Sequence, residues 1–333
     1  MIISRTPLRI SFAGGGSDLP SFYENEPGAV VSTAIDRYIY INVNRKFDHQ
    51  IRASYSMTEI VDHLDELKHQ IIREGLRHVG IRNGIEITSI SDVPSMGTGL
   101  GSSSTYTVGL LNALNAYIGR HADASRLAKD ACEIEIEQCK SPIGKQDQYI
   151  AAFGGFQFIQ FNPDGTVFVD PIVCKPETKQ LLGSRLIAFY TGITRSTNVI
   201  LKEQNKNIKQ SDSTRRTMSQ MVQMAHQLRG SLQNNDLDAF GDILHEAWML
   251  KRQVANTISN PQIDAWYETA RKHGAVGGKV LGAGGGGFLL LYAPEEKHDY
   301  IATALSDLKR VKFGFEPQGS KIIYVEEKPA HQK

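Results

Sequence analysis

Three serines, Ser102, Ser103 and Ser104, stand directly behind a glycine-rich loop, Asp92-Val-Pro-Ser-Met-Gly-Thr-Gly-Leu-Gly101, and ahead of a long apolar stretch. Glycines let a backbone take positive φ and come close to a ligand. Serines in this place can cap the helix that follows, so that free N–H groups and the positive helix end converge on one point. The chemistry this supports is anion binding, with phosphate as the usual guest. A loop that merely caps a helix would carry the same letters, so the weight falls on what accompanies it.

Two further segments do. Thr6-Pro-Leu-Arg-Ile-Ser-Phe-Ala-Gly-Gly-Gly-Ser-Asp18 reads as a short strand that delivers Arg9 and then turns through Gly14, Gly15 and Gly16 to Asp18. Arginine provides a fixed charge and a planar fork suited to phosphate. An aspartate after a glycine turn can accept hydrogen bonds from hydroxyls. Near the other end, Lys279-Val-Leu-Gly-Ala-Gly-Gly-Gly-Gly-Phe288 runs into the apolar Leu289-Leu-Leu-Tyr292. Successive glycines, Gly284 and Gly285 among them, weaken a strand but suit a place where another backbone or a nucleotide must come near. A dinucleotide fingerprint is excluded, because its glycines follow a strand and open a helix, whereas these precede a strand.

Taken in order, the three segments resemble the signature motifs of the GHMP kinases (galactokinase, homoserine kinase, mevalonate kinase, phosphomevalonate kinase). No Walker A sequence occurs, so the phosphate loop is of another kind. Within that superfamily the chain most resembles the sugar kinases acting on D-glycero-D-manno-heptose 7-phosphate. Thr6-Pro-Leu-Arg9, Ala13-Gly-Gly-Gly-Ser-Asp18, Gly144-Lys-Gln-Asp-Gln-Tyr149 and Tyr190-Thr-Gly-Ile-Thr-Arg195 carry the narrower match. The kinase domain of L-fucose kinases shares several of them. The resemblance implies an α+β fold of two lobes, a ribosomal-protein-S5-like N-terminal lobe (1–175) and a ferredoxin-like C-terminal lobe (176–333), with the site in the cleft between them. It implies ATP and Mg²⁺, and nucleotide contacts from Pro94, Gly97, Gly99, Leu100, Gly101, Ser102, Ser103, Ser104, Gly284 and Gly285.

Composition fits a compact enzyme. A net charge of +1 over 333 residues gives nucleic acid no global attraction, and no apolar run approaches the ~20 residues a membrane span needs. The N-terminus enters a strand pattern without a signal-peptide core. Cys132 and Cys139 lie on one expected helix, ~10 Å apart by helix rise, too far for a disulfide. The expectation is a cytoplasmic protein with reduced thiols.

Hydrophobic periodicity predicts strands at Ile2 to Phe12, Ala29 to Ile35, Tyr38 to Val43, Ile85 to Ile90, Phe156 to Phe161, Val167 to Asp170, Leu186 to Tyr190 and Lys321 to Val325. It predicts helices over Thr58 to Val79, after the serine loop, and over Ala124 to Lys140. Helix is expected again from Thr197 to Gln233 with a break near Gln210, then at Asp236 to Val254, Gln262 to His273 and Glu295 to Leu308. On the helix Ala124 to Lys140, Asp130, Glu133, Glu137 and Lys140 share a face that reads as solvated. Glu135 falls in the row of Ala128, Ala131, Cys132 and Cys139. A carboxylate on an apolar face is costly unless a cation or hydrogen-bond donors meet it. The resemblance independently implies that Glu135 binds the metal. Its hydroxyl partner is Ser103, with Ser102 and Ser104 as rivals.

The resemblance further implies that Asp147 faces the substrate hydroxyl, as base or as orienting group; helix N-cap is its plain structural alternative. Arg9 would stabilise the transferring phosphoryl group or the ionised Asp147. An extra residue between Gly144 and Asp147, relative to mevalonate kinases, leaves the placement of Lys145 and Gln146 open. Sugar recognition is expected from Asp18 with Gly15 and Gly16, and a substrate phosphate from Arg195, which reads equally as a surface arginine near a helix start. The function expected is ATP-dependent phosphorylation of the anomeric hydroxyl of heptose 7-phosphate. Another hexose or L-fucose kinase is the rival enzyme. A catalytically silent sugar- and ATP-binding sensor is the rival of another class.

Overall fold

The computed structural model describes residues 1–94, 97–194 and 196–326. Arg195 lies outside them. The first sheet is built around β1 (Ile2–Ala13) and β2 (Gly28–Arg45), which pair antiparallel along their lengths. The sequence pattern predicts two strands where β2 is one, because Asp36-Arg37 reads as a polar break. The strand continues because Asp36 N donates to Gly314 O and Asp36 Oδ1 accepts from Gly314 N, so the polar residue is satisfied from the far end of the chain. The N-terminal half of β2 is buried on both faces, and the half after Asp36 alternates, with Ile39, Ile41 and Val43 inside.

Beyond Asp36, β2 pairs with β5 (Ile85–Ser91), which pairs in turn with β3 (Ile51–Ser54) and, through it, with β4 (Thr58–Val61). The start of β2 pairs instead with β6 (Phe156–Phe161), followed by β7 (Val167–Pro171). The helix predicted over Thr58 to Val79 is therefore corrected: the α-helix is Gln70–Val79, preceded by a single 3-10 turn at Leu64–Glu66, and the first residues form an edge strand. Ile60, Leu64, Leu67 and Ile71 imitate a helical period, but strand pairing with β3 overrides it.

Two short helices interrupt this lobe, α1 (Pro20–Tyr23) and α2 (Gln70–Val79). Three more carry the site: α3 (Ser102–Tyr117), α4 (Ala124–Cys132) and α5 (Gln146–Phe153). After α6 (Pro176–Arg185) comes the second sheet, of β8 (Leu186–Tyr190), β9 (Gly277–Val280), β10 (Phe288–Tyr292) and β11 (Lys309–Val311). Its order β11-β8-β10-β9, all antiparallel, is the 4-1-3-2 arrangement of a ferredoxin-like unit. Between β8 and β9 run α7 (Thr197–Gln210), α8 (Asp212–Gln233), α9 (Phe240–Val254) and α10 (Pro261–Lys272), and α11 (His298–Ala304) precedes β11. The break between α7 and α8 falls at Ser211, whose hydroxyl caps α8.

The chain then returns to the first sheet, where β12 (Lys321–Val325) pairs antiparallel with β1. One apolar core joins Ile10 and Phe12 of β1 to Leu228 of α8, Phe240 of α9 and Leu290 of β10, with Phe12 and Phe240 edge to face at 5.3 Å. The two lobes therefore share a floor, and the cleft above it is held in a fixed shape.

Candidate active site

A cleft of about 410 Å³ opens between the lobes and takes its walls from all three glycine segments. Motif and motif meet through backbone. Gly99 (φ +74°) lies so near the loop after β9 that an added Cβ would run into Leu281 O, and a Cβ on Gly282 would stand 2.7 Å from Gly99 Cα. Gly99→Ala combines left-handed strain with that collision, and a loss of more than about 2 kcal/mol is expected. A urea midpoint unchanged from wild type would show that the two loops are not locked together.

The loop ends at Gly101 (φ +77°), the N-cap of α3. The expectation that serine side chains cap this helix is corrected: no side chain caps it. The hydroxyls have other partners. Ser102 Oγ pairs with Thr98 Oγ1 at 3.3 Å, and Ser103 Oγ donates to Glu135 Oε1 at 2.5 Å. Gly101, Ser102, Ser103 and Ser104 line the cleft, so the positive end of a 16-residue helix, with no side-chain cap, lies at its wall.

Glu135 stands in a π-helical turn, Glu133–Gln138, that replaces the last part of the predicted α-helix. The turn is closed by Cys139 N donating to Ile134 O; such insertions recur at functional sites. Asp130 does not belong to a solvated face as predicted. It is buried and held by Arg126 Nε at 2.6 Å and His78 Nε2 at 3.2 Å. Glu135 is wholly buried and also accepts from Gln148 Nε2 at 2.7 Å. Burial pushes its carboxyl up to about 7, against the hydrogen bonds of Ser103, Ser104 and Gln148, which pull it down. Its oxygens and the Ser103 hydroxyl could hold a hard cation that keeps waters and phosphate oxygens as its other ligands. A carboxylate buried with no cationic side chain at ion-pair distance among the described residues fits that role. Among the described residues no cluster of three or more His, Cys, Asp or Glu exists that could hold a metal by protein ligands alone.

Arg9 leaves β1 on the face opposite Leu8 and Ile10, and its N–H donates to Leu100 O at 3.1 Å. The guanidinium is almost fully buried. Nε and Nη2 donate to the two oxygens of Asp147 at 2.7 and 2.5 Å, and Nη1 donates to Gly99 O at 2.6 Å. This is a bidentate, charge-assisted pair fixed to the glycine loop ahead of α3. Asp147 occupies the first turn of α5, whose N-cap is Lys145, so its carboxylate serves Arg9 rather than capping.

Asp18 is buried and accepts from Gly16 N at 2.9 Å, Gln146 N at 3.2 Å and Gln146 Nε2 at 3.1 Å. Burial and the nearby charge of Asp147 raise its carboxyl above the ordinary range. Gly15, Gly16 and Asp18 line the cleft with Arg9, Asp147, Gly97, Gly99 and Ser102–Ser104. Other expected residues lie apart from it. Pro94 is exposed at the mouth of the loop, Leu100 is fully buried, and Gly285 N donates to Ile258 O at 2.8 Å. Gly282 and Ala283, rather than Gly284 and Gly285, reach the cleft lining.

Sequence reasoning missed two buried lysines. Lys251 of α9 donates to Gly15 O at 2.8 Å and Gln204 Oε1 at 3.1 Å, and burial brings it down to about 8. Lys279 of β9 donates to Phe12 O at 3.3 Å, and burial, with the charges of Lys251 and Arg9, brings it down to about 7. A signal existed for Lys251. It falls in the buried row Leu244, Ala247, Trp248 and Val254, the same pattern of a charge on an apolar face that singled out Glu135.

Residues 66–155 match the model of the GHMP kinase N-terminal domain and residues 228–309 that of the C-terminal domain. The D-glycero-alpha-D-manno-heptose 7-phosphate kinase of Campylobacter jejuni is 30% identical over 96% of this chain and 98% of its own length. The L-fucokinase/L-fucose-1-P guanylyltransferase of Bacteroides fragilis is 25% identical over 89% of this chain, which spans 35% of that larger protein. The crystal structure of a D-glycero-D-manno-heptose 1-phosphate kinase from Bacteroides thetaiotaomicron superposes with a TM-score of 0.80, covering 98% of this chain and 100% of that one at 24% identity, and so shares the fold. No helix among the described residues is long and apolar enough to cross a membrane. A cleft with an uncapped helix end, an Arg–Asp pair and a buried carboxylate, in a chain matched along nearly its whole length by a sugar phosphate kinase, leads to one conclusion: the chain belongs to the GHMP kinases and is a phosphotransferase of the sugar kinase type.

Proposed function

We propose that the protein transfers the γ-phosphoryl group of ATP to the anomeric hydroxyl of D-glycero-D-manno-heptose 7-phosphate, giving the 1,7-bisphosphate, a precursor for nucleotide-activated heptose. The observation that carries the chemistry is the Arg9–Asp147 pair beside the open N-terminus of α3. The sugar oxygen attacks the γ-phosphorus, the bond to the bridging oxygen of ADP breaks, and the hydroxyl proton passes to the Asp147 carboxylate. Arg9 orients that carboxylate through two hydrogen bonds. The first-turn N–H groups of α3 hold the phosphates. Asp18, pinned by Gln146 and Gly16, accepts hydrogen bonds from sugar hydroxyls. Glu135 and Ser103 would hold Mg²⁺, which when bound neutralises charge on the phosphate oxygens.

The heptose 7-phosphate assignment rests on the Campylobacter relative. The match to the L-fucokinase favours free L-fucose as a second reading. One assay separates them. ADP release with Mg²⁺ is followed for heptose 7-phosphate, unphosphorylated heptose, L-fucose and galactose. Turnover is expected with heptose 7-phosphate at a kcat/KM at least about 100-fold above the others, the discrimination available to a site that pairs a charged group. Preferred turnover of L-fucose or galactose would keep the kinase and overturn the heptose phosphate assignment.

A further inference from the structure

Lys251 is a buried ammonium with no carboxylate at ion-pair distance among the described residues, and it lines the cleft. Its two acceptors, Gly15 O and Gln204 Oε1, are neutral, so one of its three N–H donors has no protein partner there. Gln204 of α7 is wholly buried. With its Oε1 committed to Lys251, its Nε2 is turned toward Gly16 and has no acceptor. A Cβ on Gly16 would run into that Nε2 and stand 3.1 Å from Lys251 Nζ, so both donors pack under Gly16, with Lys251 lining the cleft and Gln204 behind it. The same wall is completed by Ser196, Thr197 and Asn198 at the start of the 14-residue α7, whose N-terminus has no side-chain cap.

A continuous chain of contacts relates this place to the chemistry. Asp147 adjoins Gln146, which donates to Asp18; Asp18 accepts from Gly16 N, and the neighbouring Gly15 O accepts from Lys251. Asp147, Asp18 and Lys251 thus line one cleft in that order of contact. Lys251, whose charge is offset in part by that of Asp18, keeps one N–H free there, and with the positive end of α7 it suits an anion.

We propose that Lys251, braced by Gln204, and the N-terminus of α7 form the subsite for a phosphomonoester on the sugar, remote from the reacting hydroxyl. This rests on the reading above that the substrate is a sugar phosphate, and it makes Lys251 the residue that selects for that phosphate. Lys251 also clamps the glycine turn, so the test has to separate recognition from support. Lys251→Met removes both. Gln204→Glu has the same size and keeps the clamp, but its negative charge pairs with Lys251 and competes with an anion for it.

Two readouts are taken on wild type and both variants, with thermal melts to verify folding. The first is the ratio of kcat/KM for heptose 7-phosphate over unphosphorylated heptose. The second is inhibition by inorganic phosphate, competitive against sugar at saturating ATP. The ratio is expected to fall by about 10- to 100-fold in both variants, and phosphate inhibition to disappear in both. If Lys251→Met lowers both substrates equally while Gln204→Glu leaves the ratio intact, Lys251 is only a clamp and the proposal falls. If the wild type accepts neutral sugars alone, the heptose phosphate reading fails and the second readout decides. Phosphate that competes in the wild type but not in the variants keeps the subsite, and phosphate that never competes overturns it.

Discussion

Asp147→Asn is expected to lower kcat by about 10²- to 10⁴-fold, the usual contribution of a positioned general base, with KM for sugar and ATP changed only a few-fold. Asparagine has the size of aspartate and can accept from Arg9, but it cannot take the hydroxyl proton. Arg9 is then left almost fully buried with only the carbonyl of Gly99 and a neutral amide. Breaking a fully buried pair costs about 3–5 kcal/mol, and because the Asp147 side chain is 22% exposed the cost here is reduced to about 1–3 kcal/mol. The variant should therefore be both slow and less stable. Adding Arg9→Met removes the orphaned charge, so the double variant is expected to regain stability without regaining activity. A single variant that keeps more than about a tenth of wild-type kcat would confine Asp147 to orienting the hydroxyl.

Glu135→Gln separates stability from function in the opposite direction. Burial raises the Glu135 carboxyl from an ordinary 4.5 to about 7. Below pH 4.5 the folded and unfolded chains both hold the proton, and the group contributes no difference. Between 4.5 and 7 the folded chain keeps a proton that the unfolded chain has lost, so stability falls as pH rises through this window. Above pH 7 the full cost of the buried charge is present, on the order of 3 kcal/mol. Glutamine carries no charge, and its amide can donate to Gln148 Oε1, which has no partner in the wild type. The metal-free variant is thus expected to equal wild type near pH 4.5 and to exceed it in stability at pH 8. Its half-saturating Mg²⁺ concentration for activity should rise by about 100-fold or more, since even outer-shell partners of a metal are worth 10- to 100-fold. Urea denaturation across pH, with Mg²⁺ titration of the rate, checks both halves. An unaltered Mg²⁺ requirement would remove Glu135 from the metal site. A stability difference independent of pH would show that the carboxylate is not ionised against its burial.

Much of this site was legible in the chain. The glycine-serine loop, the Arg9 strand and the Gly14–Asp18 turn are runs of consecutive residues. Conformational freedom and helix-end chemistry act over a few positions, so their letters can be read directly. Glu135 was legible for a different reason: a carboxylate in an apolar helical row must be met by something. The same rule applies to Lys251, a charge in the buried row of α9. The rule held even though the local geometry did not, since Glu135 sits in a π turn and Asp130, placed on the wet face, is buried with Arg126 and His78. Thr58 to Val61 misled for a related reason, because a helix-like spacing of apolar residues was overruled by pairing with β3.

The sequence by itself determined the superfamily, the order of the three glycine segments that line the cleft, the α+β alternation and the identity of the charged residues worth watching, because each depends on neighbours within a few positions. Tertiary structure alone decided which groups touch. It chose Ser103 over Ser102 as the partner of Glu135, joined Arg9 to Asp147 across 138 positions, and brought Lys251 under Gly15 across 236. Those meetings follow from the register of β1 against β2, the seating of α3 and α5 on that sheet, and the apolar floor that α8, α9 and β10 share with β1. Register and packing are collective properties of the folded chain, and no local spacing encodes them.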